Sequence, residues 1–197
     1  MPTLEPYANY LRAGLVVLIG MSLGFALTLA ALRSGYGFNP LEVGPWVAWP
    51  DIGGPDVDPY ARAVIARSGE APLAKEQGLV FVARVDSTGA TLDGDCDYTI
   101  TDPTPPTRFW TIDLAAPDGG AIDWPGGRRG YSSVDVLRRE NGAFEIAVSR
   151  ETRPGNWLSP GAARRFAVVL RLYDVGLDAA ARPDAEVFPK ILRRGCA

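Results

Sequence analysis

Histidine is absent from this 197-residue chain. That removes the commonest general base, the usual zinc ligand and every Ser-His or Cys-His nucleophile pair. Lysine is scarce: Lys75 and Lys190 are the only two. Neither is close in sequence to Ser132-Ser133, so a Ser-Lys pair has no local support. Two cysteines are too few for a four-thiolate metal site, or to hold an iron–sulfur cluster alone. Positive charge is not in excess. The formal net charge is -3, whereas a nucleic-acid binder needs a basic face that releases counterions from phosphates. The pairs Arg128-Arg129, Arg138-Arg139, Arg164-Arg165 and Arg193-Arg194 are short and have acidic residues between them, the pattern of solvated surface. No Gly-rich phosphate loop joins a strand to a helix. No nucleic acid, cofactor or metal ion is therefore expected as a partner, and no catalytic residue stands out.

A long apolar run is present. No residue from Ala13 to Leu32 is charged, and a helix of that length rises about 30 Å, the thickness of a bilayer's hydrocarbon core. Arg12 and Arg33 bracket it and suit the two interfaces, as do Tyr7, Tyr10 and Tyr36. The alternative is a cleaved signal peptide, for which Thr28-Leu29-Ala30 is a passable cleavage site. Against it, the run exceeds the usual apolar core of such peptides. Gly20 and Gly24 form a GxxxG pattern with Thr28 on the same face, which would let a second helix approach closely. Glycine is also simply common in membrane helices.

Beyond the helix the sequence changes character. Residues 33–57 read as a lead-in rich in Gly, Pro and Trp, with Trp46 and Trp49 placed to sit near a membrane surface. Asp58 and Pro59 make a good N-cap and first position for a short helix centred on Tyr60 to Arg67, ended by Ser68-Gly69. After Gly78 the period becomes two. Leu79, Phe81, Ala83 and Val85 share one face; so do Leu92, Gly94, Cys96, Tyr98 and Ile100; then Trp110, Ile112 and Leu114; then Phe144, Ile146 and Val148. Phe166 to Tyr173 is a strongly apolar last strand. Such alternation marks half-buried sheet. Ser87-Thr88-Gly89, Pro117 to Gly120, Asn141-Gly142 and Pro154-Gly155 are turn signals between the runs. The expected fold is mainly β, an antiparallel sandwich or jelly-roll-like domain with one short helix, behind a single N-terminal transmembrane helix. The expected organisation is a short cytoplasmic tail over 1–12, the membrane helix over 13–32, the lead-in over 33–57 and a periplasmic domain over 58–197.

Several strings in order form a recognisable set. They are Arg108-Phe109-Trp110-Thr111-Ile112 before Asp118-Gly119, Arg129-Gly130-Tyr131-Ser132-Ser133, and Asn141-Gly142-Ala143-Phe144-Glu145-Ile146. Arg153-Pro154-Gly155-Asn156-Trp157-Leu158 and Phe166 to Tyr173 complete it. Together they resemble the bacterial domain of unknown function 1214 family, in its short form with one N-terminal membrane helix. Family members often carry Asp-Gly where this chain has Asn141-Gly142, and both suit the same turn. The resemblance implies a β-rich fold; it brings no established catalytic residues to carry over.

Cys96 falls on the apolar face of a strand, and Cys196 is the penultimate residue. A disulfide between them would pin the tail to that strand, suit an oxidising compartment and place the domain in the periplasm with the N-terminus inside. One buried and one frayed thiol is the other arrangement. Asp93-Gly94-Asp95-Cys96-Asp97 has the opening spacing of a calcium loop, but Tyr98 and Thr104 stand where Gly and Glu are required; three carboxylates on one solvated strand face is the better reading. Asp113, Asp123, Asp135 and Glu145 are candidate members of a glycosidase pair, and nothing selects among them. Trp124, Arg129, Tyr131, Asn156 and Trp157 are placed to line a ligand or partner surface; loop tryptophans also plug the ends of sandwiches. The favoured expectation is a non-enzymatic inner-membrane accessory protein that contacts a protein partner through its helix and its β domain. A periplasmic glycan-binding module and an envelope carbohydrate hydrolase are the alternatives.

Overall fold

The structure is a computed structural model that describes residues 5–33, 40–54, 57–68, 72–74, 76–123, 128–175 and 184–196. Helix α1 (Glu5–Arg33) extends the expected apolar run at both ends. Its stretch Asn9–Ala31 is long and apolar enough to cross a membrane, and the side chains from Asn9 to Thr28 are exposed. A helix that is apolar all round has no face to turn to water. The short helix α2 (Pro59–Ser68) lies where the capping residues placed it. Asp58 Oδ1 accepts the Ala61 N–H at 3.0 Å, satisfying a donor the first turn would otherwise leave open.

The remainder is built from two sheets. One has six strands in the order β1 (Leu41–Val43), β2 (Trp46–Ala48), β3 (Gly78–Ala83), β9 (Ala167–Tyr173), β5 (Phe109–Ala115) and β6 (Gly130–Ser132). All its pairings are antiparallel. The other runs β10 (Lys190–Cys196), β4 (Cys96–Thr101), β7 (Glu145–Val148) and β8 (Trp157–Leu158), with β7 and β8 parallel. The apolar positions of the period-two runs meet in one core between the sheets. Three aromatic pairs bridge it: Phe81 with Phe188 at 4.8 Å, Tyr98 with Phe166 at 5.7 Å and Trp110 with Phe144 at 5.0 Å. In each pair one ring belongs to, or adjoins, a strand of the six-stranded sheet and the other one of the four-stranded sheet. The fold is therefore a mainly β sandwich and not a closed barrel. Strand β9 is buried at consecutive positions because it is central in its sheet.

Two segments differ from expectation. Trp46 is not near a surface: it is fully buried on β2, and its indole Nε1–H donates to the Pro189 carbonyl at 2.8 Å. The run Trp46-Val47-Ala48 alternates correctly but is too short for its period to stand out against the Gly and Pro around it. Strand β4 begins at Cys96 and not at Leu92. Asp93 Oδ1 instead accepts the Asp95 N–H at 3.0 Å, an Asx turn that competes with the ladder. Asn141-Gly142 forms the anticipated hairpin turn. Gly142 has φ +81, its N–H donates to the Arg139 carbonyl, and the Arg139 N–H donates to the Ala143 carbonyl.

Candidate functional site: an arginine-flanked loop and a charged cleft

Tyr131, Asn156 and Trp157 come together where β6, β7 and β8 converge. Asn156 is buried. Its Oδ1 accepts the Leu137 N–H at 2.8 Å, and its Nδ2 donates to the carbonyls of Leu137 and Glu145, each at 2.8 Å. One amide side chain thus bridges a loop and a strand. The Trp157 backbone N–H donates to the Tyr131 hydroxyl at 2.9 Å, and its indole donates to the Ser149 carbonyl at 2.9 Å. Arg129 is exposed beside this hub. Trp124 lies outside the described residues.

The hub presents the loop that leaves β6. Val136 turns into the core, and Val134 and Leu137 turn out, at 82% and 64% exposure. Among the described residues they are the only large aliphatics so exposed outside α1. Asp135 Oδ1 accepts from both the N–H and the hydroxyl of Ser132, and its other oxygen pairs with Arg128. Burial pushes the Asp135 carboxyl up, but these hydrogen bonds and the Arg128 charge outweigh it and hold its pKa below the usual value. Arg128 also lies over the Tyr131 ring at 4.9 Å. On the far side of the loop, Arg138 covers the Phe144 ring at 5.6 Å, and Arg139 pairs with Glu145. Sequence reading missed Val134 and Leu137, because two isolated exposed aliphatics carry no period.

A second feature is an open cleft of about 430 Å³ beside the end of β10, lined by Asp95, Asp97, Ser149, Arg150, Glu151, Arg153 and Cys196 among others. Here the disulfide closes: Cys96 and Cys196 are joined. The acidic run does not converge on one point. Asp95 pairs with Arg150, and Asp97 pairs with Arg153 at 2.7 Å. Arg150 also donates to the Gly161 and Ala163 carbonyls. Gly94 is required here, since a Cβ would meet the Ala163 carbonyl oxygen at 1.9 Å.

Of the carboxylates considered for glycoside hydrolysis, Asp113 pairs with Arg171, Asp135 with Arg128 and Glu145 with Arg139. Each has its own guanidinium, and Asp135 is shifted down, the wrong direction for a general acid. On α1, Gly20 and Gly24 have open space where a Cβ would stand, and the Thr28 hydroxyl donates to the Gly24 carbonyl at 2.9 Å. The face stays narrow and its hydroxyl is satisfied within the helix.

The VPA0106 protein from Vibrio parahaemolyticus has a similar crystal structure, with a TM-score of 0.55 at 18% identity, covering 89% of this chain and 44% of that one. An uncharacterised protein from Burkholderia cenocepacia aligns with a TM-score of 0.45 at 19% identity, over 60% of this chain and 30% of that one. This chain thus spans less than half the length of either, and the first likeness concerns the fold alone. No curated protein matches. Residues 77–176, from the start of β3 past the end of β9, match the family described as "Protein of unknown function (DUF1214)". With half the chain inside that match, on the strands and turns that carry the sequence motifs, this protein belongs to the DUF1214 family.

Proposed function

We propose that this chain is a single-pass inner-membrane protein that holds its β domain in the periplasm and works by binding a partner, not by catalysis. The observation that carries this reading is α1: a helix of membrane-spanning length with its apolar side chains exposed on every side. The Cys96–Cys196 disulfide supports an oxidising compartment for the domain. The open Gly20, Gly24, Thr28 face supports contact with another membrane helix. The separate arginine partners of Asp113, Asp135 and Glu145 count against a hydrolase.

The test has two parts. A reporter fused after residue 196 should be active only as a periplasmic enzyme. Gentle solubilisation followed by native separation and mass spectrometry should recover a stoichiometric companion, lost in a Gly20→Ile, Gly24→Ile variant. A reporter active only in the cytoplasm, or a chain that migrates alone, would overturn the reading. A second reading, a module for a polar ligand such as a glycan, is favoured by the cleft beside the disulfide. It requires saturable binding from a panel of envelope glycans, and none across the panel would remove it.

A further inference from the structure

We infer that the loop Ser133–Arg139 is a membrane-contacting element that seats Val134 and Leu137 in a bilayer surface rich in anionic lipid. The inference rests on the membrane-anchored reading above and goes beyond it by naming a second point of attachment.

The first argument is composition in place. Residues 128–140 contain four arginines and two acidic residues, Asp135 and Glu140. Arg128 pairs with Asp135 and Arg139 with Glu145, and outside these pairs Arg129 and Arg138 offer their charge to an anionic surface. The arginine pairs stand on either side of Val134 and Leu137, the two outward aliphatics. Exposed aliphatic side chains flanked in sequence by arginines fit an interface where acyl chains lie beneath anionic headgroups. Arg138 is braced on the Phe144 ring, which holds its charge near the loop.

The second argument is rigidity. A loop that merely tolerated two exposed aliphatics would need no support. This one is fixed by Asn156 on both backbone groups of Leu137, by Ser132 and Asp135, and by Val136 in the core. Ordering the loop in advance reduces the entropy lost when it docks.

The third argument is topology. Strands in the six-stranded sheet alternate in direction from β1 to β6. With six strands, β1 and β6 run in opposite directions. The start of β1 and the end of β6 therefore lie at the same end of the sheet. The chain arrives from α1 at that end, and the loop leaves from it. Five strand spacings separate them laterally by about 24 Å. Sheet twist accumulates to about 100–125° over those steps, so a direction midway lies within about 60° of both strand ends. Seven residues separate Arg33 from Leu41 and span at most about 25–30 Å whatever their conformation. The tether thus keeps the domain beside the bilayer, and the domain's tether end carries the loop.

The experiment uses the full chain with Leu137→Cys, or Val134→Cys as a second site, labelled with a fluorophore; Cys96 and Cys196 are held in their disulfide. A companion protein carries the label at Leu18→Cys on α1. Each is reconstituted into phosphatidylcholine vesicles, with and without phosphatidylglycerol as about a third of the lipid, together with lipids bearing a quencher on the acyl chain. The expected result is quenching at 18 in both vesicles and at 134 and 137 only with the anionic lipid. That quenching should fade at high salt, and the docked-to-free ratio should fall about fivefold for each of Arg129→Gln and Arg138→Gln. Quenching at 18 without quenching at 134 or 137 overturns this inference and leaves the anchored reading standing. No quenching at 18 defeats the anchored reading, and this one with it. A label at 137 that is unquenched by lipid, yet shielded from a water-soluble quencher in native membranes, means that a protein covers the loop, and lipid docking is overturned.

Discussion

A single carboxylate shows how this domain handles buried charge. Asp86 is 1% exposed. Its Oδ1 accepts the N–H and hydroxyl of Thr88 and the N–H of Ala90, at 2.9, 2.6 and 3.0 Å. Arg193 Nε stands 3.2 Å from Oδ2, and the same guanidinium lies over the Tyr98 ring. Burial pushes the Asp86 carboxyl up, but the hydrogen bonds from Thr88 and Ala90 and the charge of Arg193 together hold it below its ordinary value. The folded state therefore takes up this proton at lower pH than the unfolded chain, whose Asp titrates at about 3.9. The stabilisation is complete above that value and drains away as pH falls through it toward the folded pKa. Urea unfolding of wild type and Asp86→Asn at neutral pH should show the wild type more stable. The gap should narrow as pH falls below about 4. A gap independent of pH would mean the site is held by shape and not by charge.

Asp86 also marks where element boundaries escaped the sequence. Alternation along Leu79 to Asp86 put Asp86 on the opposite face from Phe81 and Ala83, yet β3 ends at Ala83 and the chain then turns, carrying Asp86 inward. The same happens at Asp93 to Asp95. Asp and Ser side chains bond to nearby backbone and end strands that period alone would continue. Strand β10 is the opposite case. The cysteines suggested only a tail that a disulfide could pin to a strand, and it becomes an edge strand itself, with Ile191 opposite Ile100 and Cys196 opposite Cys96. The disulfide that closes this ladder spans 100 residues of sequence. Restricting so large a loop in the unfolded chain is worth about 2–4 kcal/mol. Cys96→Ser with Cys196→Ser should lower stability by about that amount in urea. The variant should still fold, because Phe188 and Ile191 remain buried and the ladder from Lys190 to Arg193 stays paired. Equal midpoints for the variant and the oxidised protein would remove the disulfide from the list of what holds β10.

At the scale of the whole molecule, the sandwich was readable because its strands alternate cleanly, whereas the order of strands within each sheet was not. Tyr131, Asn156 and Trp157 bond into the backbone and support Val134 and Leu137, a direction of bonding the sequence does not carry, since a buried amide and a ligand-binding one look alike in sequence. The length of α1 favours its retention over cleavage. The stretch Asn9–Ala31 has 23 residues and rises about 35 Å, more than the hydrocarbon thickness of about 30 Å. The apolar core of a cleaved signal is only about 7–15 residues. The helix also runs unbroken through Thr28, Leu29 and Ala30 to Arg33, so the small-residue stretch lies within its last turns. Membranes washed with alkaline carbonate should therefore retain the protein, and intact-mass analysis should find the residues of α1 still present. A chain starting at Ala31 in the soluble fraction would make α1 a signal segment. On the anchored reading proposed above, the helix is the domain's first hold on the bilayer, so that outcome would also leave the Val134–Leu137 loop without a tether.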